Sequence, residues 1–217
     1  LHAKSWKKRH ITIEERNKII TQWGLETLKK FNISLSVEGT PMSTPGILVG
    51  NHISYLDMVL LQSQKPTIFV AKQEVSSWPI IGRASKIAGT IFVKRDKSQS
   101  RQIVRKKIAS EICKRKEIVT IFPSGTTSLD NEPRWRRGPF EIAKKFYLPL
   151  QTFRINYSPL RPAAFINDDW LLPHISQIRK HRIKAHLTYD KPRYIKSVDD
   201  AIIHSQKFTS LKDHSLQ

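Results

Sequence analysis

The chain has 217 residues, with 38 Lys and Arg against 18 Asp and Glu and a formal net charge of +20. That length suits one full-sized domain, and 39% hydrophobic with 26% charged residues excludes a disordered or collagen-like chain. A single Cys113 excludes an internal disulfide framework, no His/Cys cluster has zinc-site spacing, and no apolar run approaches the roughly 18–20 residues that span a bilayer. The chain opens on Leu1 rather than Met, so an anchor preceding it stays an open alternative.

The spacing predicts a helix over about Thr12 to Phe31, with Ile19, Ile20, Trp23, Leu28 and Phe31 on an apolar stripe and Glu15, Arg16, Lys18 and Lys29 opposite. Residues 1–31, which contain this helix, are expected either to lie in a membrane interface or to pack on the sheet. Ile33, Leu35 and Val37 alternate with Ser34, Ser36 and Glu38, the pattern of a half-buried strand. After a loop at Gly39–Pro45, Ile47–Val49 is a short buried strand running into Gly50-Asn51-His52. A helical pattern around Tyr55–Leu61 and a strand at Thr67–Ala71 follow, then a helix at about Pro79–Ala88 and a strand at Thr90–Val93. Ser98–Lys114 reads as a long basic helix turning Ile103, Val104, Ile108, Ile112 and Cys113 inward. Ile118–Phe122 is an apolar strand, Phe140–Phe146 a helix, Leu148–Phe153 a strand, Ile183–Tyr189 a late strand and Val198–Phe208 a closing helix. Alternation at this pace predicts a single α/β domain over residues 1–217, with a mixed, mostly parallel sheet flanked by helices.

Charge of this size calls for a polyanion: nucleic acid, anionic lipid headgroups or an acidic protein. From Lys72 to Lys116 there are thirteen Lys and Arg against three acids, so half of the net charge lies in about a fifth of the chain. The sequence lacks ribonucleoprotein motifs, a C₂H₂ pattern and a helix-turn-helix signature, so nucleic acid is not the expected partner.

In open α/β sheets chemistry gathers at the carboxyl ends of strands. Three such ends carry unusual polar residues: Asn51 to Asp57, Lys94-Arg95-Asp96, and Pro123 to Ser128. His52, five residues before Asp57, can have one ring nitrogen held by that carboxylate and the other free to take a proton from a substrate hydroxyl. The same spacing also fits a histidine capping the helix beside a solvated Asp. Arg95 can hold a phosphate in a bidentate way or be an ordinary surface arginine. The Ser124–Ser128 stretch suits an anion-binding turn, or a turn whose hydroxyls cap the next segment.

Taken in order, these segments resemble the glycerolipid acyltransferases of the lysophosphatidate acyltransferase (PlsC-like) family over about Trp23 to Tyr157. Asn51-His52-Ile53-Ser54-Tyr55-Leu56-Asp57 is similar to the first motif, Gly89 to Arg95 to the second, Phe122 to Ser128 to the third, and Leu148-Pro149-Leu150 falls at the fourth. The resemblance implies the glycerol-3-phosphate acyltransferase-like fold and transfer of a fatty acyl group from acyl-CoA or acyl carrier protein to a lysolipid hydroxyl. His52 is then the general base and Asp57 its orienting partner, both catalytic. Arg95, with Lys94 beside it, holds the acceptor's anionic headgroup, and Ser124, Gly125, Thr126 and Thr127 complete that pocket. No metal, cofactor or prosthetic group is implied; the acyl thioester is a co-substrate. The implied acceptor is 1-acylglycerol-3-phosphate, with a lyso-ornithine lipid or another lysophospholipid as rival, and a non-catalytic lipid-binding relative as the further alternative. An anionic membrane surface is the implied partner, and the cytoplasmic face of the inner or plasma membrane the implied location. Three departures stand out: Ser124 replaces the family's Glu, Thr127 its Arg, and Thr152 the second Pro of the fourth motif. Arg134, Arg136 and Arg137 are near enough in sequence to restore the lost cation.

Overall fold

Helix α1 (Ile13–Lys30) opens on a capping box, in which the Thr12 hydroxyl accepts from the Glu15 amide and the Glu15 carboxylate from the Thr12 amide. The computed structural model describes residues 12–78, 81–93, 98–129, 134–166 and 169–210. After α1 come β1 (Ile33–Glu38), β2 (Ile47–Gly50), α2 (Leu56–Gln64) and β3 (Ile68–Lys72). A 3₁₀ turn at Gln73–Ser77 leads to α3 (Ile81–Ile87), β4 (Ile91–Val93), α4 (Ser98–Cys113) and β5 (Val119–Ile121). The chain continues through α5 (Gly138–Lys145), β6 (Leu150–Ser158), α6 (Leu160–Ala163), α7 (Leu171–Ile178), β7 (Ile183–Tyr189) and α8 (Val198–Ser210).

The strands form one seven-stranded sheet in the order β1-β7-β6-β2-β5-β3-β4. The run β6-β2-β5-β3-β4 is parallel throughout, while β7 is antiparallel to β6 and parallel to β1. The expected α/β architecture with a mixed, mostly parallel sheet is therefore the observed one. Central β2 is buried on both faces, which is why its sequence is continuously apolar rather than alternating. Leu48 faces a layer with Leu28, Leu56, Leu60 and Ile178, whereas Ile47 and Val49 face Ile108, Ile112, Phe140 and Ala201.

Two helices present different faces from those expected. On α4, Ile108 and Ile112 are buried and Val104 half-buried, but Ile103 is 67% exposed and Cys113 is exposed. The inward line is 104-108-112, one residue per turn, and positions 103 and 113 sit about 100° to either side of it. On α1 the inward line is Ile20-Gly24-Leu28, with Phe31 half-buried, while Ile19 and Trp23 lie on the next row and are each 41% exposed. A stripe read from large apolar residues misses Gly24, which is the point of closest approach to α2: a Cβ there would stand 2.8 Å from the Ser63 amide nitrogen. Sequence reading also leaves the 3₁₀ turn, α6 and α7 unassigned and ends β6 at Phe153, five residues early.

Overpacking at Gly24 should separate α1 from α2. Gly24→Leu is expected to lower stability by about 1–3 kcal/mol, read as a lower urea midpoint at unchanged m. Trp23→Ser, on the neighbouring exposed row, should leave that midpoint in place.

Candidate active site

Parallel pairing of β2 with both β5 and β6 puts the ends of β2 and β5 side by side against the middle of β6, with Val49 opposite Ile121 and Gly50 opposite Phe153. Beyond Gly50 the side chain of Asn51 extends the ladder to β6: its amide donates to the Ile155 carbonyl at 2.7 Å and its oxygen accepts from the Ile155 amide at 2.8 Å. The chain then turns through His52, Ile53 and Ser54 into α2, whose first turn carries Asp57.

The Asp57 carboxylate is fully buried and collects four donors. Oδ2 accepts from His52 Nδ1 at 2.7 Å, from the Ile53 amide at 2.8 Å and from the Ser54 amide at 3.1 Å. Oδ1 accepts from the Tyr157 hydroxyl at 2.7 Å. A carboxylate at a helix N-terminus is also favoured by the helix dipole. Asp57 is thus no solvated helix residue; it holds the two amides that lead into the helix. Because it accepts from Nδ1, that nitrogen carries the hydrogen and Nε2 carries the lone pair. The imidazole is 17% exposed, so the pair is reachable while its carboxylate is not.

The third segment meets this pair directly. Phe122 stacks on the His52 ring at 3.8 Å between centroids, and Phe69 and Phe153 back it. The Ser128 amide donates to the His52 carbonyl at 2.9 Å. Between them, Pro123 and Ser124 occupy a turn closed by the Gly125 amide on the Phe122 carbonyl at 3.0 Å. Gly125 has φ +73°, a left-handed conformation that a side chain would strain. The Ser124 hydroxyl donates to the Thr126 carbonyl at 2.8 Å, so its proton is used inside the turn. Thr127 is half-buried beside it. The Arg136 amide donates to the Pro123 carbonyl at 3.0 Å, fixing an exposed arginine next to the turn, whereas Arg137 is engaged by Asp199 and Glu141. Strand β4 ends on the same edge of the sheet, three strand spacings from β2, about 14 Å. Lys94 and Arg95, which follow it, lie outside the described residues.

Behind the pair, α6 and α7 are stitched to the His52–Asp57 loop. The Phe165 amide donates to the Ile53 carbonyl at 3.0 Å. Buried His174 donates from Nε2 to the Ala164 carbonyl at 2.7 Å and accepts at Nδ1 from the Tyr55 hydroxyl at 3.2 Å. Burial lowers the His174 pKa below the ordinary histidine value and raises that of the Tyr55 phenol, so both are neutral and matched as donor and acceptor. Sequence reading missed the Asn51 bridge, the Phe122 stack, His174 and Tyr157. Only Tyr157 left a trace, as the polar tip that ends the apolar alternation Phe153, Ile155, Tyr157.

A histidine–carboxylate pair thus sits at the carboxyl edge of a mostly parallel sheet, beside a small-residue turn, in an α/β domain. The sequence profile of the family described as Acyltransferase matches residues 20–156, and the chain belongs to that family. It is 30% identical over 194 residues to a lyso-ornithine lipid O-acyltransferase of Pseudomonas aeruginosa, covering 86% of this chain and 74% of that protein. It is 33% identical over 117 residues to a 1-acyl-sn-glycerol-3-phosphate acyltransferase of Neisseria meningitidis, covering 53% of this chain and 46% of that protein. The crystal structure of PlsC, the 1-acyl-sn-glycerophosphate acyltransferase of Thermotoga maritima, superposes with a TM-score of 0.70 over 95% of this chain and 83% of that one. At 18% identity that likeness carries the fold alone.

Two stability measurements follow from the packing. Asp57→Ala leaves four donors without an acceptor in a buried place and should cost about 3 kcal/mol or more, whereas His52→Ala, which keeps three of the four donors on the carboxylate and opens its side to water, should lower the denaturation midpoint less. Because native His174 is held below the ordinary value, the unfolded chain binds the extra proton first as pH falls. Unfolding free energy should therefore decline as pH drops from about 7 through 6.5, and His174→Gln should flatten that decline in a pH series of urea melts.

Proposed function

We propose that the chain is a lysolipid O-acyltransferase using His52 as general base, oriented by Asp57. The observation that carries this reading is the 2.7 Å contact of His52 Nδ1 with a buried carboxylate, in a member of the acyltransferase family. His52 Nε2 takes the proton of the acceptor hydroxyl as its oxygen attacks the thioester carbonyl. The tetrahedral intermediate then expels the thiolate, which recovers that proton from the imidazolium, leaving an ester and a free thiol. Acyl-CoA or acyl carrier protein is the donor. The exposed Lys106 and Lys107 of α4 offer a basic surface to the CoA phosphates or to an acidic carrier.

For the acceptor, the alignment spanning 86% of the chain favours a lyso-ornithine lipid. The second reading is 1-acylglycerol-3-phosphate, supported by the Neisseria match and by the order of the four motifs. Lys94, Arg95 and the Ser124–Thr127 turn then receive the phosphate, with Arg136 beside the turn.

The chain works at a membrane surface, at the cytoplasmic face of the inner or plasma membrane. Among the described residues no helix is long and apolar enough to cross a membrane. Instead, α1 turns Ile19 and Trp23 outward on one row, while Leu25, on the other side of the buried line, borders an open groove of about 550 Å³ that Leu35 and Val37 also line. An apolar row on a strongly basic chain is the composition of an interfacial contact with anionic lipid.

His52→Ala is expected to abolish transfer from labelled acyl-CoA or acyl carrier protein to every lysolipid in a panel; undiminished turnover would sink the mechanism. In the same panel wild type should acylate lyso-ornithine lipid or 1-acylglycerol-3-phosphate, and no product with any pair would favour a non-catalytic binding protein. Membrane contact is tested with the combined variant Ile19→Ser, Trp23→Ser rather than by truncation, since Leu28 of the same helix is in the core. Its co-sedimentation with phosphatidylglycerol vesicles should fall at least several-fold, and high salt should weaken wild-type binding. Equal binding by the variant would refute the contact.

A further inference from the structure

We propose that Tyr157 is a positioning residue of this site, locking the rotation of the Asp57 carboxylate so that one oxygen is always presented to His52. The inference rests on the acyltransferase reading given above and extends it to a residue one position beyond the family match, which ends at residue 156.

An aspartate's terminal torsion is broad and roughly two-fold, so a helix that fixes the Asp57 backbone does not by itself fix its carboxylate plane. Three N–H donors converge on Oδ2, from His52, Ile53 and Ser54. If Oδ1 had no donor, a buried anionic oxygen would be left unsatisfied, and rotation toward any alternative partner would take Oδ2 off the imidazole. The Tyr157 hydroxyl donates to Oδ1 at 2.7 Å from the opposite side, across 100 residues of sequence. Tyr157 is 5% exposed and Asp57 0%, which leaves little room for water to substitute.

The donor is held by a strand rather than by a loop. Tyr157 lies in β6, and the paired hydrogen bonds of Asn51 with Ile155, two residues earlier on the same face, fix β6 against the start of the His52 loop. Placement on such an element keeps a supporting contact within tight geometric limits. The phenol also stays protonated: burial, followed by the Asp57 charge and the hydrogen bond itself, pushes its pKa well above the ordinary tyrosine range. Tyr55, likewise neutral through burial, also faces Tyr157.

The test compares wild type, Tyr157→Phe, Asp57→Asn, the double variant and His52→Ala in the acyl-CoA and lysolipid assay. Tyr157→Phe is expected to lower kcat about ten- to hundredfold, the range for a hydrogen bond to a charged group, with KM for both substrates within about twofold. Without the phenol, Asp57 holds the imidazolium more strongly, so the acid limb of the kcat/KM profile should move to higher pH. In the Asp57→Asn background, Tyr157→Phe should cost nothing further, because its effect passes through the carboxylate. Wild-type kcat in folded Tyr157→Phe, or a loss that adds fully to that of Asp57→Asn, overturns the proposal. If Tyr157→Phe does not fold, 3-fluorotyrosine at position 157 keeps the shape with a more acidic phenol, and the acid limb should move to lower pH; an unmoved limb overturns the proposal. Turnover retained by His52→Ala overturns the base assignment itself, whereas its loss alongside a wild-type Tyr157→Phe overturns only the role of Tyr157.

Discussion

The structure turns on one buried carboxylate. Asp57 is shut away from water and is stabilised because four donors from three places converge on it: the loop after β2, the imidazole of His52 and a tyrosine of β6. A buried charge is tolerated only when hydrogen bonds replace the water it has lost. The requirement runs both ways. The donors need the carboxylate as much as it needs them, and satisfying all of them fixes the loop, the first turn of α2 and β6 in one arrangement. Stability of the fold and orientation of the His52 ring are therefore the same set of bonds read twice.

That arrangement depends on strand register. Parallel pairing brings the ends of β2 and β5 together beside a β6 that runs on past them, so a histidine leaving β2 finds the aromatic residue after β5 stacked against it. Asn51 carries the pairing one step past the last strand residue, where backbone alone would let β2 and β6 diverge. The order Asn-His is thus physical: the first residue fixes the neighbouring strand and the second uses the position so fixed. Phe122 adds a flat, apolar wall that holds the imidazole plane, and the Ser128 amide closes the third side.

Whatever depends on local period was legible in the sequence. The buried run of β2, the basic helix α4, the alternation of β7 and the five-residue spacing of His52 and Asp57 each lie within a dozen or so residues, and their patterns name their elements. What stayed hidden is set by distance or by absence. Tyr157 reaches Asp57 across 100 positions, and nothing in its neighbours points there. Gly24 marks the closest approach of α1 to α2 by having no side chain, which a hydrophobic stripe cannot register. Helix α7 is short and carries Pro173 in its first turn, a position where proline is tolerated but where periodicity has too few residues to show. The inward faces of α1 and α4 were misjudged for a related reason: a helix with apolar residues on two adjacent rows states its amphipathicity without saying which row is covered.

Of the two roles the sequence posed for α1, packing on the sheet is the one its inward row fulfils. Ile20, Gly24 and Leu28 are committed to the core, so the helix cannot detach without opening the layer over the sheet. Ile19 and Trp23, one step around, remain available on the outside. A surface-seeking row fastened to a core-seeking row is rigid with respect to the sheet, and hence with respect to His52 at its edge. In the proposed membrane contact the +20 charge would act at longer range than either row, over a Debye length, and the apolar row only on contact. Attraction by charge and orientation by a fixed apolar row are separable steps, and only the second requires the fold.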